Sequence, residues 1–265
     1  MKKKMSVLSI IYIILVMIFL YLPIFVLIIY SFNDGKTSVW KGFTLRWYNE
    51  LFNSVPIMTS LQNTIVVAIL ASIISTVLGT LASVGIFNMK NPLKSVVTNV
   101  SNVPIINPEI VTGVSFMLLF VFVGNIFHFE MGFWTVLIAH VSFCTPYVIL
   151  NVMPKLRQMD YSIYEAALDL GCNERQAFFK TVVPEIMPGV ISGLLMSFTY
   201  SLDDFVITYF TRGAKFQTLP IEIYTMLKRR ISPTINALST LLFIVTITIL
   251  IIVNIREAKV EKSRR

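Results

Sequence analysis

Six apolar stretches, each close to or beyond the about 20 residues that a helix needs to cross hydrocarbon, constrain this chain more than any other feature. They run roughly from 7 to 30, 60 to 87, 104 to 124, 133 to 152, 189 to 210 and 234 to 254. Ordinary soluble domains carry about 25% charged residues, whereas this chain carries 14% against 55% hydrophobic ones. It has too few charges to cover a water-facing surface, so the expected fold class is all-α: a polytopic membrane protein with six transmembrane helices. The second stretch is the least defined at its start, because the charge-free run from Leu51 to Met89 exceeds one crossing and contains Pro56. Residues 43 to 58 are read as a short interfacial segment. The first stretch follows Lys2, Lys3 and Lys4 and is too long for a signal peptide with no small-x-small site after it, so it reads as a retained span.

The net charge is +8, yet in a chain this apolar basic residues orient helices more often than they bind nucleic acid. With both termini inside, fourteen of the 22 basic residues fall on inner segments and eight on outer ones, which supports an N-in, C-in arrangement. Five of the outer eight, Arg212, Lys215, Lys228, Arg229 and Arg230, crowd the loop before the sixth stretch; for Lys228, Arg229 and Arg230 a solvated helix end and a rim that docks an acidic partner are both open. Cys144 and Cys172 lack disulfide or metal spacing, and His128 and His140 read as loop or packing residues. Ser75, Gly79, Ala82 and Ser83 make a small-residue face in the second stretch, suited to close helix packing.

Ionisable residues inside a span cost about 2.5 to 3.5 kcal/mol on insertion scales and mark function by default. Glu109, near the inner start of the third stretch, and Asp203 and Asp204, near the outer end of the fifth, qualify; no Lys or Arg interrupts either stretch to neutralise them. An acid-lined route favours a cationic cargo. On a continuous helix adjacent residues point about 100° apart, so Asp204, sharing a stripe with Ser197, Tyr200, Ser201, Thr208 and Thr211, is the stronger pathway residue, and Asp203 is expected to hydrogen-bond a neighbouring helix. Structural bracing remains an alternative for each acid. Tyr200, Phe205 and Tyr209 suit either cation–π contact or an interfacial aromatic belt.

The stretch between the fourth and fifth spans reads as two short cytoplasmic helices. Ser162 with Glu165 suggests a capping box, Gly171 a left-handed end, Asn173 with Gln176 a second start, and Pro184 with Pro188 its close. Glu165-Ala166-Ala167, Gly171, nine further residues and Thr181-Val182-Val183-Pro184 resemble the EAA motif of binding-protein-dependent ABC importer permeases, with Thr181 in place of the usual aliphatic. The resemblance implies a type I ABC importer permease fold over a single domain, 1–265, whose loop 153–188 docks a cytoplasmic ATPase through Glu165, Ala166, Ala167, Gly171 and Pro184. Gly35-Lys36-Thr37 imitates the end of a P-loop, but Tyr30 stands where the first Gly belongs. The chain is thus expected to bind no cofactor and to be no enzyme, with ATP and Mg used by a partner.

Tyr30-Ser-Phe-Asn33, Trp47-Tyr48, Asn63, Ser201-Leu-Asp-Asp204-Phe205, Leu219-Pro220-Ile221, Tyr224, Pro233 and Asn236-Ala237-Leu238 narrow the resemblance to the spermidine/putrescine permease family, and within it to the second permease subunit. That implies a bacterial inner-membrane protein working with a second permease, two ATPase copies, an extracytoplasmic binding protein, a polyamine and membrane lipid. The route residues are then Asp204, Asp203, Glu109 and Tyr200. Permeases for iron, phosphonate or sulfate share several of these motifs. A proton-coupled secondary transporter would leave the EAA loop unexplained, and an intramembrane enzyme built on Asp203 and Asp204 would need carboxylates that converge.

Overall fold

Helices make up the architecture of residues 7–35, 39–229, 232–245 and 247–248, which a computed structural model describes. Lys2 to Lys4, Lys36, Thr37, Arg230, the end of the sixth stretch and the basic run from Arg256 to Arg265 lie outside the described residues. In chain order the helices are α1 (Val7–Tyr30), α2 (Arg46–Asn53), α3 (Val55–Phe87), α4 (Asn91–Ile106), α5 (Glu109–Phe127), α6 (Phe133–Gln158), α7 (Ser162–Asp169), α8 (Glu174–Ala177), α9 (Val183–Asp203), α10 (Val206–Thr211), α11 (Leu219–Arg229) and α12 (Pro233–Val245), with a π-helical turn over Phe178–Val182. Among the described residues five helical segments are long and apolar enough to cross a membrane: Ile10–Tyr30, Val55–Phe87, Glu109–Phe127, Phe133–Gln158 and Glu174–Asp203. α12, the described part of the sixth stretch, is shorter than a crossing requires.

The boundaries differ from the sequence expectation for local reasons. Pro56 does not break the second span, because at the second position of α3 its missing N–H would be unpaired anyway. The third span starts at Glu109 rather than 104: Pro108 withholds a donor and disfavours a helical Asn107, so α4 ends at Ile106 with Asn107 extended. α6 runs past 152 to Gln158, because Lys155 and Arg157 can continue a helix once it leaves the apolar layer. The loop expected from 153 therefore begins at Met159.

The chain divides into two compact units, Met1–Met58 with Glu222–Arg265, and Thr59–Ile221. In the first, the loop after α1 closes on Asn33, which is 1% exposed. Its side chain accepts from the backbone N–H of Gly35 and Lys41 at 3.1 and 2.8 Å and donates to the Val39 carbonyl at 2.9 Å. The indole N–H of buried Trp47, on α2, donates to the Asn33 carbonyl at 2.7 Å, and the Ser31 and Tyr48 hydroxyls meet at 2.8 Å. The Tyr30–Asn33 and Trp47-Tyr48 motifs thus form a polar clasp. α2 falls within the stretch 43–58, with Trp47 and Leu51 buried and the Arg46–Glu50 pair exposed.

The second unit is organised around α6, whose face of Val136, Ala139, His140, Cys144, Val148, Val152 and Leu156 is buried. Val148 sits between two glycines: a Cβ on Gly79 of α3 would come 2.6 Å from its Cβ, and one on Gly193 of α9 would come 3.2 Å from its Cα. α3 presents a stripe of Ser72, Ser75, Thr76 and Ser83, all buried, whose hydroxyls bond back to their own helix at Ile69, Ser72 and Gly79 carbonyls. Small residues that satisfy their own polar atoms are what lets helix backbones approach in lipid. Below this layer Val148, Val152, Leu156, Val182 and Ile186 form one apolar cluster joining α6 to α9.

Candidate functional site

Two interruptions shape the site. One is Asn107-Pro108, between α4 and α5; the other is Asp204-Phe205, between α9 and α10. The fifth span was expected as one helix over 189–210, but helical backbone begins earlier, at Glu174, and Asp204 leaves it with an extended ψ of 124°. Asp204 then turns its carboxylate onto the next helix: Oδ1 accepts from Ile207 N–H at 3.2 Å, and Oδ2 accepts from Thr208 N–H at 2.7 Å and from the Thr208 hydroxyl at 2.8 Å. A carboxylate over free N–H groups at a helix start is favoured by both hydrogen bonding and the helix dipole.

Between the two interruptions lies a cavity of about 470 Å³. Glu109, Asp203 and Asp204 line it with Tyr147, Tyr200, Phe143 and Phe205, and no Lys, Arg or His is among the described residues that line it. The Tyr147 and Tyr200 rings stack at 4.3 Å. All four sequence-derived pathway residues, Asp204, Asp203, Glu109 and Tyr200, therefore meet at one cavity.

Both aspartates line the cavity, but they are held differently from the expectation. The break removes the continuous helix on which the stripe was drawn: Ser197, Ser201, Thr208 and Thr211 are buried, while Tyr200 and Asp203 are exposed at the cavity. The Asp204 side chain is 5% exposed and lies 3.4 Å from His140 Nε2. Asp203, expected to brace a neighbouring helix, enters none of the ion pairs among the described residues, and neither does Glu109.

Sequence reasoning also missed His140. It is 1% exposed, with Nδ1 2.7 Å from Ser201 Oγ and Nε2 2.8 Å from Thr208 Oγ1. These partners stand 61 and 68 residues away along the chain, beyond any local pattern.

The second candidate element is the loop 159–182. α7 does not start with the expected Ser162–Glu165 capping box. Ser162 is already inside the helix, and Asp160 Oδ1 accepts its N–H at 3.0 Å; the Ser162 hydroxyl and then this N–H hold the Asp160 carboxyl below its ordinary value. The end of α7 is as expected. Gly171 has φ 86°, its N–H bonds Leu168 O at 2.9 Å, and Cys172 N–H bonds Ala167 O at 3.1 Å, which is the paired Schellman closure. α8 opens with the expected reciprocal cap, Gln176 N–H to Asn173 Oδ1 at 2.8 Å and Asn173 N–H to Gln176 Oε1 at 3.3 Å.

Pro184 and Pro188 do not close this second helix. The chain passes through the wider turn at Phe178–Val182 into α9, where Pro184 occupies the first turn and Pro188 an interior position. Thr181, the departure from the EAA pattern, donates its hydroxyl to the Ala177 carbonyl at 2.7 Å. Ala167 is buried and Ala166 exposed, so the two alanines do not share one outward surface. Glu165 is exposed, and Leu170 and Phe179 stand out at 87% and 67% exposure.

Residues 75–264 match the family described as binding-protein-dependent transport system inner membrane component. The spermidine/putrescine transport system permease protein PotC of Escherichia coli K12 is 35% identical over 234 residues, covering 88% of this chain and 87% of that protein. The putrescine transport system permease protein PotI of the same organism is 39% identical over 232 residues, covering 84% and 81%. Among solved structures, a chain of a bacterial ABC transporter involved in the import of the acidic polysaccharide alginate superposes with a TM-score of 0.71 at 15% identity, covering 94% of this chain and 95% of that one. A chain of an amino acid ABC transporter superposes at 0.60 with 18% identity, covering 82% and 100%. These likenesses show a fold shared with chains of ABC transporters, and the sequence matches decide the family: the chain belongs to the inner membrane components of binding-protein-dependent transport systems.

Proposed function

We propose that this chain is one permease half of an ATP-driven importer of polyamines, spermidine or putrescine, in a bacterial inner membrane. The observation that carries the cargo is the cavity itself, where Glu109, Asp203 and Asp204 meet four aromatic rings with no base among the described lining residues. Polyamines are ammonium groups joined by methylene chains, and such a molecule needs carboxylates for its ends and apolar or π surface for its stem. A cavity of this size suits a small ligand. The names of the relatives in Escherichia coli support the same cargo.

In this reading residues 1–265 form a single permease domain with six crossings and both ends in the cytoplasm. It pairs with a second permease, two ATPase subunits and an extracytoplasmic binding protein. The chain binds no cofactor, and ATP with Mg is used by the ATPase. The loop from α7 to α8 is the coupling element: exposed Glu165, Ala166 and Leu170 face the partner, Ala167 fixes α7 to the chain beneath it, Gly171 sets the angle, and Pro184 starts the span that carries the motion. The movement is that of a rigid body against a bistable interface rather than chemistry.

Detergent-extracted protein is expected to bring down its ATPase. Gly171→Pro, which forces φ toward about −65° where 86° is needed, is expected to lower co-purified ATPase and ATP-driven uptake by about tenfold or more. Glu165→Ala should lower uptake with the helices intact. Extraction that never yields an ATPase, with uptake unchanged in both variants, contradicts the coupling role.

A further inference from the structure

The break at Asp204-Phe205 needs an external cause. In lipid a continuous helix satisfies more backbone groups than an interrupted one, and α10, with six residues, is too short to hold its own position. α10 is instead tied to α6 at both ends. Thr135 Oγ1 donates to Thr211 O at 2.7 Å, and His140 reaches Thr208 at 2.8 Å. On its other side, Phe210 of α10 sits so close to Gly113 of α5 that a Cβ there would lie 2.8 Å from the ring.

His140 differs from the other tie because it spans the break. Ser201 belongs to the last turn of α9 and Thr208 to the first turn of α10, and one imidazole touches both. Counting protons fixes part of its state. The Thr208 hydroxyl has one proton and donates it to Asp204 Oδ2 at 2.8 Å, so toward His140 it accepts; Nε2 therefore carries a proton and donates. The ring thus closes a chain from Ser201 through Thr208 to Asp204, the group that caps α10.

We infer that His140 is a positioning residue for the cation site: by gripping Ser201 and Thr208 on opposite sides of the break, it keeps α9 ending at Asp203 and so keeps the Asp203 carboxylate at the cavity. The tie to Thr208 works through the Nε2–H donor, which a glutamine amide can supply from nearly the same place and an asparagine amide is too short to supply; the tie to Ser201 works through Nδ1, which glutamine lacks. The cargo half of this inference rests on the polyamine reading; the geometric half does not.

The test uses the assembled complex. The rate of maleimide labelling of Asp203→Cys, in a Cys172→Ser background, reads the exposure of position 203, and labelled spermidine uptake reads the site. His140→Asn is expected to slow labelling about fivefold or more and, with Asp203 restored, to raise the half-saturating spermidine concentration about tenfold at a nearly constant maximal rate, whereas His140→Gln, which keeps the donor to Thr208 and loses the contact with Ser201, matches Ser201→Ala and falls between His140→Asn and the parent in both. Unchanged labelling in His140→Asn overturns the inference, as does an equal fall of maximal rate in Asn and Gln variants with half-saturation constant. Slowed labelling in a complex that never transports spermidine supports the geometric role and counts against the cargo reading alone. Where His140→Asn does not assemble, Ser201→Ala cuts the α9 tie without altering α6, and labelling at the parent rate overturns the inference.

Discussion

Asp203→Asn is expected to lower ATP-driven spermidine uptake by about tenfold or more in a complex that still assembles. A charge-assisted hydrogen bond is worth about 1.5–3 kcal/mol, and tenfold needs about 1.4. The carboxylate of Asp203 is exposed at the cavity and enters no ion pair among the described residues, so its charge is available to an ammonium group and its loss disturbs no helix cap. Asp204→Asn is expected to harm uptake by another route. Its carboxylate already accepts from Ile207, from Thr208 twice and lies against His140, so the amide weakens the start of α10 and lowers the thermal stability of the purified complex as well. Radiolabel uptake paired with a melting curve separates the two. Equal uptake in Asp203→Asn and the parent contradicts the cation assignment.

Gly189→Leu is expected to abolish stable assembly. A Cβ at 189 would lie 2.7 Å from Asn151 O, 2.8 Å from Lys155 Cγ and 3.3 Å from Val152 Cα. The lysine stem can swing away, but two of these atoms are α6 backbone and cannot, so α6 and α9 would have to part along the apolar cluster of Val148, Val152, Val182 and Ile186. Overpacking costs roughly 1–3 kcal/mol where neighbours can adjust; here rigid backbone makes the upper end the expectation. Gly85→Leu is the control, because nothing lies within 4 Å of a Cβ there. Size-exclusion recovery in detergent reads the difference, and equal recovery of the two variants contradicts the packing account.

How much of this was legible in the sequence follows from the range of each interaction. Apolar runs place α1, α3, α5, α6 and α9, because a helix in lipid needs little beyond length and apolar side chains. The Schellman end at Gly171 and the reciprocal cap of Asn173 and Gln176 are local and could be read directly. The acids that line the cavity were also readable, because an unpaired carboxylate in a span is costly wherever it sits. The break at Asp204 was not read, although an aspartate just ahead of Ile207 and Thr208 is itself a helix-start signal; the surrounding apolar pattern suggested continuity. His140 gave no signal at all, since its meaning depends on Ser201 and Thr208 arriving from two other helices. Ala167 shows the same limit, with a motif naming the residue but not which side of α7 it faces.

A cavity lined by acids and by no described base is expected to pass a polycation under the control of a separate ATPase. Uptake of labelled spermidine by the complete complex in proteoliposomes, with its binding protein and ATP present, tests it most directly. Saturable uptake is expected, for which putrescine competes and sulfate does not, and which stops when the ATPase is inactivated. ATP-driven uptake of sulfate without uptake of spermidine would contradict it.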